Sequence, residues 1–141
     1  MSGAAGYLLD TNVISETRKT RPNADVMDFL ANADGGRLFV SVLTLGELRK
    51  GVEAKRRGDP VAAAALSAWV DVIESGFIDR IVDIDAPTAR LWGELSAARR
   101  LSVVDTLIAA TALRRDLTLV TRNVRDVAAT GAAVLDPWAD K

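Results

Sequence analysis

Tyr7-Leu8-Leu9-Asp10-Thr11-Asn12, continued by Val13 and Ile14, decides how the rest of the chain is read. Three apolar residues run straight into a carboxylate. The chain then turns polar before apolar spacing resumes, which is the pattern of a buried strand feeding a helix. Asp10 therefore falls at a strand's carboxyl end, the edge of an open parallel sheet where loops gather and helix starts point toward a ligand. Asp is also among the best N-cap residues, so a local capping role competes with a functional one. The two are separated by whether other acids join it.

A chain of 141 residues that is 49% hydrophobic fits one domain with a sizeable core, so residues 1–141 are read as a single domain. Cysteine and histidine are both absent, which removes disulfides, thiolate chemistry, imidazole bases and the usual zinc sets. Carboxylates, hydroxyls, amides and basic side chains remain, and oxygen ligands favour hard cations such as Mg²⁺ or Mn²⁺. The first six residues have neither a basic nor a long apolar segment, and no later stretch reaches the ~18 uncharged apolar residues of a bilayer span. A cytoplasmic location without membrane contact is expected. The net charge of −1 argues against nucleic-acid binding at first sight. If several of the 19 acids share one pocket, however, the remaining surface is mildly basic.

Apolar periodicity lays out the remaining elements. Short helices are expected over 13–18 and after Asn23, where Val26, Phe29, Leu30 and Ala33 form a stripe ended by Gly35-Gly36. A strand at 38–41 leads into a helix carrying Leu45, Glu47, Leu48 and Val52, followed by a charged loop at 55–59. Asp59-Pro60 starts an amphipathic helix with Ala62, Ala65, Leu66, Trp69, Val70 and Ile73 on one face, which makes Trp69 a core residue. A strand at 81–84 precedes a helix opened by Asp85-Ala86-Pro87, with Ala89, Trp92 and Leu95 inward. Residues 102–113 form a small, apolar helix closed by Arg114-Arg115, as suits a helix packed tightly on a sheet. Strands at 117–120 and 133–135 flank a polar loop or helix start at 121–126. Alternation of this kind predicts an α/β fold with a parallel sheet between helices.

Glu47 stands three residues after Thr44, Asp105 three after Ser102 and Asp126 three after Asn123. Each spacing resembles a capping box, and capping alone could explain all three acids. Their placement argues for more. Asp10, Glu47 and Asp126 each follow a strand, and Asp105 opens the helix that precedes another. Four carboxylates converging on one sheet edge would repel one another unless a cation neutralised them, so the arrangement makes physical sense as a divalent-metal site. Thr11, Asn12, Ser41, Thr121 and Asn123 could orient these carboxylates or hold water around the ion. Such a site supports phosphodiester hydrolysis without histidine. Arg18, Lys19, Arg21, Arg49, Lys50, Arg122 and Arg125 are candidates to hold a phosphate backbone.

Four ordered blocks now stand out: 9–16, 41–51, 105–112 and 119–126. Together they closely resemble PIN-domain ribonuclease toxins of the VapC type. The likeness is to the FitB-like subgroup, which tends to end in a Pro-Trp such as Pro137-Trp138. The resemblance extends over 7–138. It implies a three-layer α/β/α sandwich with a central, mainly parallel sheet, and an Mg²⁺- or Mn²⁺-dependent endoribonuclease acting on RNA. It also implies a homodimer and a cognate VapB-type antitoxin that occludes the active site and carries the operator-binding domain, so that DNA is met only through the antitoxin. The family's metal-site acids map onto Asp10, Glu47, Asp105 and Asp126. Asn123 occupies a position where some relatives carry another acid.

Two features depart from the family pattern. Thr106 replaces the usual Ala after the third acid, and the Arg99-Arg100-Leu101-Ser102 junction is shorter than the expected Gly- and Pro-containing loop. A shortened loop there would alter substrate access. Two other readings stay open on the residues: a metal-dependent phosphohydrolase acting on small phosphate esters, and a non-catalytic module that only binds an antitoxin.

Overall fold

A computed structural model describes residues 6–98 and 100–138; Arg99 of the short junction lies outside them. Five parallel strands form one sheet in the order β3-β2-β1-β4-β5. Their ranges are β1 Tyr7–Leu9, β2 Leu38–Ser41, β3 Ile81–Val82, β4 Thr118–Val120 and β5 Val134–Leu135. The opening apolar run is the central strand, pairing Leu8 with Phe39 on one side and Leu9 with Val120 on the other.

Side chains alternate across a strand, so β1 feeds two cores. Leu9 joins a cluster with Val13, Ile14, Val26, Val40, Leu48, Val52 and Val70, while Leu8 joins Ile108, Ala112, Leu119 and Val127 on the opposite face. The first face is covered by α1 (Thr11–Glu16), α2 (Ala24–Asn32), α3 (Val42–Arg56) and α4 (Pro60–Gly76). The second is covered by α6 (Val103–Arg115) and α7 (Val124–Ala128), with α5 (Ala86–Ala97) packed on α6. This is the expected three-layer α/β/α arrangement.

Short polar side chains start most of these helices by accepting otherwise unpaired backbone N–H groups. Asn23 caps α2, Asp59 caps α4 ahead of Pro60, Asp85 caps α5, and Ser102 caps α6. Asp116, in the left-handed region at φ 55°, ends α6.

Some boundaries differ from the sequence expectation. Helix α3 runs through Arg56, leaving only 57–59 as a loop, because Lys55 and Arg56 suit its C-terminal turn and Arg56 pairs with Glu53 at 3.0 Å. On α5 Thr88 and Leu95 are buried and Trp92 is half-buried with its indole nitrogen inside, whereas Ala89 is exposed. Strand β3 stops at Val82. Among the described residues no helix is long and apolar enough to cross a membrane.

Candidate active site

Pairing of β1 with β4 sets residue 10 beside residue 121, and the Asp10 N–H donates to the Val120 carbonyl at 2.9 Å. Asp10 is 6% exposed. Its Oδ1 accepts from the Thr11 N–H at 2.7 Å and its Oδ2 from the Thr121 hydroxyl at 2.8 Å. Asp10 thus caps α1, as the local reading required, while its second oxygen is held by a residue 111 positions away. Thr121 Oγ1 also accepts from Asn123 N–H at 3.0 Å and from Asn12 Nδ2 at 3.3 Å. With both lone pairs taken, its one proton is left for Asp10. Asn12 further accepts from the Arg122 N–H at 3.4 Å, tying α1 to the loop after β4.

Glu47 is not a capping residue. Ser41 caps α3 through a 3.0 Å bond from the Leu43 N–H, which puts Glu47 beyond the first turn and leaves Thr44 inside the helix. Glu47 Oε1 instead accepts a 2.5 Å hydrogen bond from the Thr11 hydroxyl, and the buried Thr44 hydroxyl lies 3.3 Å from the same Thr11 oxygen. Asp105 sits half-buried in the first turn of α6, its N–H bonded to Ser102 Oγ at 3.0 Å, so part of its capping box is real. Asp126 is exposed in the first turn of α7, where Asn123, also exposed, makes no side-chain cap bond. Ser41 is fully buried and its hydroxyl serves the cap of α3.

Burial, and then the charges of Asp105 and Glu47, hold the Asp10 carboxyl above its usual range, against the opposing bonds from Thr121 and the Thr11 N–H. Among the described residues none of the four acids forms an ion pair. Glu47 and Asp105 thus both act electrostatically on Asp10, and none of the three is paired with a cationic side chain among the described residues. No three acidic side chains among the described residues converge tightly enough to form a ready-made metal cage. A buried carboxylate that feels two others and is held by hydroxyl and amide donors offers hard oxygen ligands of the kind a divalent cation takes.

The candidate phosphate-binding cations fall into three groups. Arg49 is bound to Asp71, to Ser67 at 3.1 Å and to Glu74 at 3.8 Å, and Lys19 pairs with Glu16 at 2.9 Å. Arg18 and Arg122 lie over the rings of Trp69 and Trp138. Arg21, Lys50 and Arg125 are exposed, and Lys50 lines a shallow depression with Arg56 and Arg57. Two residues of the site were not singled out from sequence. Thr44 offered no signal beyond an apparent capping role, and Trp69, although packed on the core as its periodicity predicts, also lines a cavity beside Glu47.

The PIN domain family model matches residues 7–131. Toxin FitB of Neisseria gonorrhoeae is 31% identical over 138 residues, covering 94% of this chain and 99% of the relative. A tRNA(fMet)-specific endonuclease VapC of Shigella flexneri is 32% identical over 140 residues, covering 94% and 98%. The solved structure of FitAB bound to an IR36 DNA fragment superposes with a TM-score of 0.86 at 30% identity, covering 96% of this chain and 97% of that one.

Proposed function

The chain belongs to the PIN domain family, and on that premise we propose that it is the toxin of a type II toxin–antitoxin pair, a metal-dependent endoribonuclease that hydrolyses RNA phosphodiester bonds. The observation that supports this most is the buried Asp10 carboxylate, which feels the charges of Glu47 and Asp105 and has no cationic partner among the described residues.

Asp10, Glu47 and Asp105 would hold a divalent cation, and Asp126 would contribute from the first turn of α7. Mg²⁺ is the proposed ion, with Mn²⁺ able to replace it, because every donor is a hard oxygen. When bound, such an ion supplies positive charge to the phosphate and lowers the pKa of the attacking water. The protein's own residues provide orientation. Thr121 and the Thr11 N–H fix both oxygens of Asp10, the Thr11 hydroxyl fixes Glu47, and Ser102 sets the start of the helix that carries Asp105. Asn12 and Asn123 steady Thr121. Lys50 and Arg125, exposed near these elements, would guide the RNA backbone.

The remaining features follow from the same reading. Residues 1–141 form a single domain, a homodimer assembles, and a VapB-type antitoxin occludes the site and carries the DNA contact. The toxin acts in the cytoplasm, where its substrate is found. FitAB on DNA supports a partner of this kind.

Incubating RNA with the protein and Mg²⁺ or Mn²⁺, with and without chelator, tests the function. Cleavage should require the ion and fall about 100-fold or more in Asp10→Asn. Equal cleavage by both proteins would remove Asp10 from the reaction. Turnover of small phosphate monoesters but not RNA would replace the nuclease with a phosphohydrolase. Absence of any turnover, with intact antitoxin binding, would leave a non-catalytic module.

A further inference from the structure

Beside the acids, α1, α3 and α4 enclose a cavity of about 200 Å³ that has Thr11 and Glu47 in its wall. Leu48, Leu66 and Trp69 supply apolar surface, and the Arg18 guanidinium lies 5.7 Å from the centre of the Trp69 ring. Trp69 packs against the sheet core yet stays only half-buried. Gly51, in the interior of α3, completes the lining. Glycine inside a helix is less stable than alanine. Packing does not require it here, because a Cβ at position 51 would meet nothing within 4 Å. The position is exposed and open, as Gly46 on the same helix is, so a side chain placed at 51 would project into free space at the cavity wall.

We infer that this cavity receives one unpaired base of the RNA, next to the scissile phosphate, stacked against the Arg18–Trp69 pair, and that Trp69 and Gly51 set the base preference. The inference rests on the nuclease reading for its substrate. Three features carry it. The cavity shares Thr11 and Glu47 with the candidate centre, so its occupant must be contiguous with the phosphate being cut. Its volume lies below the range for drug-sized ligands and suits a single flat ring system. An arginine lying over an aromatic ring offers two planar surfaces, guanidinium and indole, on which splayed single-stranded bases stack, and its N–H groups suit base edges rich in acceptors.

The test uses short single-stranded RNAs containing one cleavage site, each with an abasic residue at a different position around the cut. In the native protein, removal of one particular base should lower kcat/KM about 10- to 100-fold, with small effects elsewhere. Gly51→Leu, which fills the cavity, and Trp69→Leu, which removes the ring, should lower cleavage of the intact RNA by a similar factor. Neither variant should respond further to loss of that base. Gly51→Ala, with nothing in its way, should fold with an unchanged or higher Tm. The same RNAs are titrated in chelator by fluorescence anisotropy, where no cleavage is needed.

Base-dependent affinity that disappears in Gly51→Leu supports the cavity even if no divalent ion yields cleavage, an outcome that would sink the nuclease reading alone. Cleavage with no base preference, or a preference that survives in both variants, overturns the cavity and leaves the nuclease reading standing. So does Gly51→Leu acting only on retention of a co-expressed protein partner, which would make the cavity a protein-docking site. Neither cleavage nor base-dependent binding overturns both.

Discussion

The Thr11 hydroxyl donates a 2.5 Å hydrogen bond to the Glu47 carboxylate, joining the first turn of α1 to the body of α3 across 36 positions of sequence. The same residue's N–H holds Asp10. Thr11 therefore orients two acids at once. Thr11→Val keeps the shape, loses the hydroxyl and leaves the N–H in place. It should weaken metal affinity or cleavage about 10- to 100-fold, the usual cost of losing a group that orients a ligand. Thr11→Ser should restore most of both. The check is a Mn²⁺ titration alongside steady-state cleavage, since a merely structural role would lower Tm without separating Val from Ser.

Asp10 predicts a pH dependence of definite sign. Its raised carboxyl pKa means that the metal-free folded protein keeps a proton that the unfolded chain releases near pH 3.8. Stability from this group therefore falls as pH rises from that value through the folded pKa, and stays lower above it. Asp10→Asn cannot ionise, so in chelator its Tm relative to the native protein should climb between about pH 4 and neutrality. A saturating divalent ion should reverse the ordering. A hundredfold excess over Kd stabilises by about 2.7 kcal/mol, several degrees for a chain of this size, and the Asn variant should gain little of it. Thermal melts at several pH values, with chelator and with Mg²⁺, measure both effects.

Glu16 behaves in the opposite sense. Its carboxyl is held below the usual range by the Lys19 ammonium and by the Asn23 N–H, which bonds it at 2.8 Å and links the end of α1 to the cap of α2. That stability is present above the unfolded pKa and is lost as pH falls through the folded one. Glu16→Gln should lower Tm at neutral pH, with the deficit shrinking in acid, as read from parallel melts.

Ser102 couples stability to the site. Its hydroxyl accepts the Asp105 N–H at 3.0 Å at the start of α6, and its carbonyl accepts the Thr106 hydroxyl at 2.8 Å. Ser102→Ala should cost about 1 kcal/mol, measured by chemical denaturation, and Ser102→Gly only a few tenths. Cleavage should fall with the alanine variant as the first turn carrying Asp105 loosens.

Local chemistry was the legible part of the sequence. The run Tyr7-Leu8-Leu9 ending in Asp10 gave away the central strand and its sheet edge, and Asn23, Asp59, Asp85 and Ser102 announced their helices because a cap needs only neighbours a few residues away. Glu47 was recognisable as a candidate but not in its role. Its spacing from Thr44 imitates a cap, whereas its actual partner, Thr11, is brought near only by the pairing of β1 with β2. Asp126 carried a spacing like that of Asp105, yet the short α7 leaves it exposed and it is not among the charges acting on Asp10. Periodicity identified Leu66, Trp69, Val70 and Ile73 on the inward face of α4, although Ala65 is exposed and Ala63 buried, but not that the Trp69 surface would also border a space enclosed by α1 and α3.

The central claim is that Asp10, Glu47 and Asp105 share one divalent cation. The most direct measurement is anomalous diffraction from crystals of the native protein grown with Mn²⁺. The account predicts an anomalous peak within coordination distance of carboxylate oxygens from all three residues, and no such peak in Asp10→Asn crystals grown the same way. Well-ordered acids around an empty centre at saturating Mn²⁺, or the ion bound elsewhere on the surface, would contradict it.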